Sequence, residues 1–478
     1  MDIYKLHMGP AKCALDMGDG SERGEYVSQD YLLHLLGRPH RAINLMFTYY
    51  PLDEGWPARA RTLPRKQTVD FAWGYAYDDY FPYTGGLEGD TTGEPFVSIR
   101  DIRSHGQDVI LTITVDCAVD DARLIKITED LRPFGRLMLR INHEAMGNWF
   151  AFNKRYTYKE VADFYTRFHR IIKKHAPNIQ TILCIGDLGL TEEGKMRYED
   201  DFVEAMNETD IWSNDTYLSL HWGWPHSIAE PGGGKYHRNP TQKNIDGFKK
   251  LFDRFMLRTG GKQRPFVVSE INADGDVNGP YEQADQIKEL YDEIPKQLPF
   301  LTGITYYQFR DRGRLGLEIQ DPNNAEVGVA QPVLEVYKEI VYRDYYMPKM
   351  DVGAAAQLPV KLRWGGSEDS DGIVIPIKFE ADPVFCEVSF DGDDADLNIM
   401  MEINGRWFHK KPGVKKIDMI SAFFNKRLPG PATLEFKLFA PPPNGTNDPS
   451  QGDDWDVNYY AELKALPEFR IRYEPAAR

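Results

Sequence analysis

Cysteine is scarce in this chain: four in 478 residues. Cys13, Cys117 and Cys184 lie in or beside apolar runs, Cys386 sits in a strand-like EVSF context, and no two share metal-ligand spacing. They read as reduced, mostly buried small hydrophobes, as in a reducing compartment. Basic charge is also in deficit. Lys plus Arg number 57 against 73 Asp plus Glu, a net charge of −16. That argues against nucleic acid and against anionic membrane surfaces, both of which want a basic face. No apolar run reaches the roughly 18 residues a spanning helix needs. The opening segment MDIYKLHMGP has no basic patch followed by an apolar stretch. It reads as cytoplasmic as given, or as secreted if a leader has been trimmed. There is no internal repeat and no low-complexity tract. No Gly-x-Gly-x-x-Gly turn follows the first strand, which disfavours an open nucleotide-binding sheet.

What is present is a chain long enough for two or three domains and a large core. Aromatics are abundant, at 13%. Many sit in stretches that otherwise read as loops, where rings can serve a binding surface or simply pack. Up to about residue 345, short apolar runs alternate with amphipathic segments. The strand candidates are 11–17, 43–50, 108–115, 136–142, 179–185, 215–222, 264–270 and 302–309. They are nearly continuous apolar runs, as in parallel strands covered on both sides. Helical segments fall between them. Ser28 and Gly37 bracket one. Thr157 and Glu160 form a capping box before another, and Ile245, Phe248, Phe252 and Phe255 line a third. This order predicts an α/β fold, a (β/α)8 TIM barrel over residues 1–348. Beyond that, short strands separated by Gly, Pro, Asn and Asp turns predict a C-terminal all-β sandwich over 349–478.

Active residues of such a barrel lie at the C-terminal ends of its strands. The fourth strand ends in Arg140-Ile-Asn142-His143-Glu144, the seventh in Ser269-Glu270-Ile-Asn272. Two carboxylates on one rim suit glycosidic hydrolysis. One protonates the departing oxygen while the other attacks or stabilises the cationic sugar. Either Glu alone could be a structural ion pair, for instance with Arg140. Asp116 and Asp187 end the third and fifth strands and are spare carboxylates for sugar hydroxyls.

The segment Arg140-x-x-His143-Glu144-x-x-Gly147-x-Trp149 resembles the acid/base segment of glycoside hydrolase family 26. That mannanase-like family belongs to the clan-A retaining barrels, and its pattern runs Arg-Pro-Phe-His-Glu-Met-Asn-Gly-x-Trp. Here Ala145-Met146 stands for Met-Asn. Arg264-Pro265-Phe-Val-Val-Ser-Glu270 is similar to its nucleophile strand, continuing Ile-Asn where Phe-Gly is usual. The resemblance covers roughly residues 5–345. It implies that Glu144 is the general acid/base and Glu270 the nucleophile, with Arg140 beneath it as a fixed charge. His143 would orient Glu144, and Asn142 keeps an open role. His221 fits the slot of the side chain that hydrogen-bonds the nucleophile. Trp222 and Trp224 would floor a sugar subsite or pack on the barrel. Tyr307 or Phe309 would stand where many clan-A barrels place a Trp under the sugar. The long segment 51–94, with Trp73 among eight aromatics, reads as a cleft wall or a self-packed flap.

The expectation is a retaining glycosidase acting on β-linked oligo- or polysaccharide, β-mannan by resemblance, without a cofactor. The rivals are a barrel that binds glycan without cutting it and a clan-A glycosidase of another family. An aldolase or metal-dependent hydrolase would require a strand-end Lys or a His/Asp metal cluster, and neither is visible. The turn Asp391-Gly-Asp393-Asp394-Ala-Asp396 could hold calcium, though an acidic turn is commoner. Trp364, Trp407 and Trp455 could pack or bind carbohydrate.

Overall fold

The computed structural model describes residues 2–20, 25–55, 80–147, 155–185, 194–196, 198–221, 236–364, 371–446 and 459–474. Eight parallel strands form a closed ring: Ala14–Gly18, Ala42–Tyr49, Asp108–Val115, Leu137–Ile141, Ile179–Cys184, Ile211–His221, Phe266–Ala273 and Leu301–Tyr306. The last pairs with the first, Gly303 opposite Ala14 and Tyr306 opposite Met17, which closes the barrel. The strand residues are buried almost without interruption, as the continuous apolar runs require.

The helices begin and end where their local chemistry dictates. Thr157 accepts from the Glu160 amide while the Glu160 carboxylate accepts from the Thr157 amide, opening helix Tyr158–His175. Helix Gln29–Leu36 ends at Gly37, whose φ of 75° is the left-handed cap that closes it through a 2.8 Å bond to the Leu33 carbonyl.

The barrel interior is layered. At its N-terminal end, Ala42, Ile110, Met138, Ile182, Ile211 and Val267 form an apolar plug. Above them, Asn44, Thr112, Arg140, Asp215 and Ser269 are polar and buried. These groups bond across the barrel axis. Arg140 Nε donates to Thr112 Oγ1 at 2.7 Å, and Asn44 Nδ2 donates to the Ser269 carbonyl at 3.2 Å. A polar layer over an apolar floor is a platform for charge at the rim.

The C-terminal region is antiparallel. A six-stranded sheet shares one apolar core with a three-stranded and a two-stranded sheet. The expected division at 348/349 needs one correction. Strand Ile3–Gly9 belongs to the larger sheet and not to the barrel, seated between Lys349–Ala356 and Gly372–Phe379. Its run Ile-Tyr-Lys-Leu-His-Met mixes polar with apolar residues, Ile3 and Leu6 entering separate cores, unlike the continuous apolar runs of the barrel strands. The sheet's outer face meets the barrel through Leu6, Val374, Met400, Phe439, Trp364 and Trp407, packed against Leu33. Trp364 and Trp407 therefore pack between domains, and Trp455 lies outside the described residues. In the acidic turn, Asp394 accepts from the amides of Lys464 and Ala465, and Asp393 pairs with Lys464 Nζ at 2.6 Å.

Candidate active site

The fourth strand delivers Arg140 into the barrel and breaks immediately afterwards. Asn142 and Glu144 take left-handed backbone conformations, φ 54° and 48°. A glutamate costs about 1 kcal/mol or more there, a cost that sites rather than scaffolds tend to carry. The turn lifts Glu144 onto the rim. The seventh strand, Phe266–Ala273, carries Glu270 inward at the same level, opposite Asp215 of the sixth strand.

Arg140 is sealed from solvent and joins both acids. Its Nη1 donates to the two Asp215 oxygens at 3.0 and 2.9 Å, and its Nη2 to Glu270 Oε1 at 2.6 Å. Ser269 Oγ donates to Asp215 Oδ1 at 2.6 Å. Tyr217 Oη donates to Glu270 Oε2 at 2.9 Å. Both Glu270 oxygens thus face donors, one charged and one neutral.

His143 links the two glutamates. Its Nδ1 accepts from Arg140 Nη2 at 2.5 Å, which puts the ring hydrogen on Nε2. That Nε2 stands 3.7 Å from Glu144 Oε2 and equally far from Asp215 Oδ2. Nδ1 is 3.3 Å from Glu270 Oε1. Burial, reinforced by the Arg140 charge, holds the imidazole well below its ordinary proton affinity, so it stays neutral. Tyr80 lies across the ring at 6.0 Å between centroids.

Burial pushes Glu270 up to about 8, with Asp215 adding repulsion, while Arg140 and Tyr217 pull the other way. Burial also raises Asp215. The Asp215 side chain has no exposed surface, whereas the Glu270 and Glu144 side chains are 5% and 13% exposed. Only the two glutamates can meet a ligand.

The other expected residues divide. Tyr307 follows the eighth strand, its ring edge-on to Tyr217 at 6.4 Å, its carbonyl accepting from Asn272 Nδ2 at 2.6 Å. A Cβ at Gly18 would come within 2.7 Å of the Tyr307 ring, so the first strand must end in glycine for that ring to lie where it does. Asn142, whose role the sequence left open between ligand contact and structure, is engaged by the backbone. Its Oδ1 accepts from the Val115 amide at 2.7 Å and its side chain is buried, which ties the third strand's end to the fourth. Arg140, fully enclosed, acts on Glu270 and not directly on a ligand. Asp116 is engaged by Arg155, Tyr156 and the Ala118 amide. Trp73, Trp149, Asp187, Trp222 and Trp224 lie outside the described residues, as does the side chain of His221.

Sequence reasoning missed Asp215 and Tyr217. It looked for the sixth strand's chemistry at His221, whose side chain lies outside the described residues, and gave no role to the two residues nearer the strand's start. The strand starts at Ile211, so Asp215 and Tyr217 fall mid-strand on the inward face. The available signal was the unbroken polar stretch Ser213-Asn-Asp-Thr216, unusual inside a covered barrel strand.

No family model and no curated relative matches the chain. Among solved structures it is similar to a modular endo-β-1,4-mannanase of family 26 from Cellulomonas fimi, at 11% identity over 88% of this chain and 93% of that one, TM-score 0.43. A family 39 glycoside hydrolase from Bacteroides cellulosilyticus matches at 12% over 90% and 81%, TM-score 0.41. A family 51 α-L-arabinofuranosidase from Bifidobacterium longum matches at 10% over 91% and 99%, TM-score 0.44. Similarity this remote transfers neither substrate nor mechanism.

Proposed function

We propose that this chain is a retaining glycosidase acting on β-linked glycans, with β-mannan-type polysaccharide the favoured substrate. The observation that carries this reading is the pairing of Glu270, held by Arg140 and Tyr217, with Glu144 across one neutral imidazole. Glu270 attacks the anomeric carbon as a carboxylate, and the bond to the leaving oxygen breaks as Glu144 gives that oxygen its proton. A glycosyl ester on Glu270 results. Water, deprotonated by Glu144, then attacks the same carbon and releases Glu270. Arg140 and Tyr217 fix the Glu270 oxygens, and His143 Nε2–H faces Glu144.

The substrate preference rests on the motif likeness around Arg140–Gly147 alone. The test is sugar release from β-mannans, β-glucans, xylans and galactans by wild type, Glu144→Ala and Glu270→Ala. The expected result is cleavage of one polymer class and a loss of at least about 10³-fold in each variant, roughly 4 kcal/mol of barrier. Undiminished cleavage by either variant overturns the assignment. Glycan binding without turnover in the wild type would favour the binding-protein reading.

A further inference from the structure

Asp30, His105 and His409 meet at the seam between the barrel and the C-terminal sheet. Asp30 stands in the first turn of helix Gln29–Leu36, His105 caps helix Phe96–Ser104, and His409 belongs to strand Arg406–Lys410. Both imidazoles are buried, while the Asp30 side chain is 38% exposed.

The hydrogen positions follow from the partners. His105 Nδ1 lies 2.7 Å from the Asp101 carbonyl oxygen, and its Nε2 lies 2.8 Å from Asp30 Oδ1. His409 Nε2 lies 2.9 Å from Asn398 Oδ1, and its Nδ1 lies 2.9 Å from the same Asp30 Oδ1. The Asn398 amide has one orientation, because its Nδ2 donates to the carbonyls of Ser104 and Pro441 at 2.6 and 3.2 Å. All four ring nitrogens therefore face acceptors. A neutral imidazole has one N–H to give. Given outward, to Asp101 and Asn398, it leaves two bare nitrogens against one carboxylate oxygen, an arrangement that repels unless a cation sits among them.

Two imidazolium ions could supply the missing hydrogens. Their rings would then stand 3.9 Å apart between centroids, with Lys411 Nζ already 2.5 Å from Asp30 Oδ2. That sets two like charges ring against ring, with the Asp101 carboxylate 3.5 Å from His105 Nδ1, whereas one divalent cation brings the same charge but is held by both nitrogens as ligands.

We propose that Asp30 Oδ1, His105 Nε2 and His409 Nδ1 bind a divalent transition cation of the zinc type, clasping the C-terminal sheet to the barrel. Two imidazoles and a carboxylate are a donor set that suits zinc. Histidine ligands characteristically give their second N–H to a carbonyl or similar acceptor, and here both outer nitrogens face one.

The test uses the full chain, stripped with a chelator and titrated with zinc chloride in a calorimeter and with cobalt(II) chloride in the visible. The expected result is one equivalent bound, a tetrahedral-type cobalt spectrum and a rise in melting temperature with zinc. Asn398→Ala should weaken binding about 10–100-fold, and His409→Asn by more. On the unaltered chain, nitrogen-15 NMR should show zinc shifting His105 Nε2 and His409 Nδ1 while the outer nitrogens keep their hydrogens. Absence of a saturable site, binding unchanged in His409→Asn, or both rings doubly protonated and indifferent to zinc would overturn the proposal.

Discussion

Glu270 is the residue on which the site's pH behaviour turns. Its ordinary value is 4.5, and in the folded chain burial takes it to about 8. As nucleophile it must be ionised, so kcat/KM should fall on the acid side of a limb well above the usual carboxylate range. Tyr217 donates to the ionised form, and Tyr217→Phe should move that limb to still higher pH. A limb at an ordinary carboxylate value, or one indifferent to Tyr217, would contradict this. The same shift has a stability consequence. Between pH 4.5 and about 8 the folded chain keeps a proton that the unfolded chain has released, so stability falls as pH rises through that window. Glu270→Gln removes the titration. Its melting temperature relative to wild type should therefore improve from pH 4.5 to 8 and then level off. Arg140 behaves differently, because it neutralises two buried acids. Arg140→Met should cost about 3–5 kcal/mol in urea unfolding above pH 8, where Glu270 is ionised and its buried charge is left unpaired.

At the scale of elements, the eighth strand's exit depends on the first strand's end. Gly18→Ala drives a methyl to within 2.7 Å of the Tyr307 ring, which also stands edge-on to Tyr217. The expected effect is a loss of about 1–3 kcal/mol in denaturant unfolding, together with reduced activity as Tyr217 is displaced. A drop in stability with unchanged turnover would show that Tyr307 does not position Tyr217. The elements themselves were well marked in the sequence. Continuous apolar runs marked the barrel strands, because both faces of a parallel strand are covered. The Asp108–Val115 strand starts and stops where its apolar run does. The Thr157 capping box and the Gly37 cap were legible because each acts within a few residues of itself. Arg140, His143, Glu144 and Glu270 were expected because the apolar runs 136–142 and 264–270 give way to polar residues there, on the side from which such a barrel presents its side chains. Asp215 was not, because an acid in mid-strand is explained only by Arg140, 75 residues away in sequence. The pairing of Ile3–Gly9 with the C-terminal sheet was hidden for the same reason, since nothing local names a partner so distant.

For the molecule as a whole, that N-terminal strand decides how the domains depend on each other. It supplies the strand between Lys349–Ala356 and Gly372–Phe379, and Leu6 joins the apolar seam. Residues 349–478 expressed alone should therefore lack a central strand and fail to form a cooperative fold. Adding a peptide of residues 2–10 should restore protection from proteolysis. A stable, cooperatively melting 349–478 fragment would refute this dependence.

The same strand also sets an order of events during synthesis. Residues 3–9 leave the ribosome first among the described segments, yet Lys349–Ala356 and Gly372–Phe379 emerge more than three hundred residues later. At about 5–20 residues per second, the strand waits roughly 17–70 s for its neighbours. Every barrel strand is made within that interval. A strand made ahead of the whole barrel thus finds both its neighbours only after the barrel strands are made, and until then both its edges stay without the partners they have in the fold.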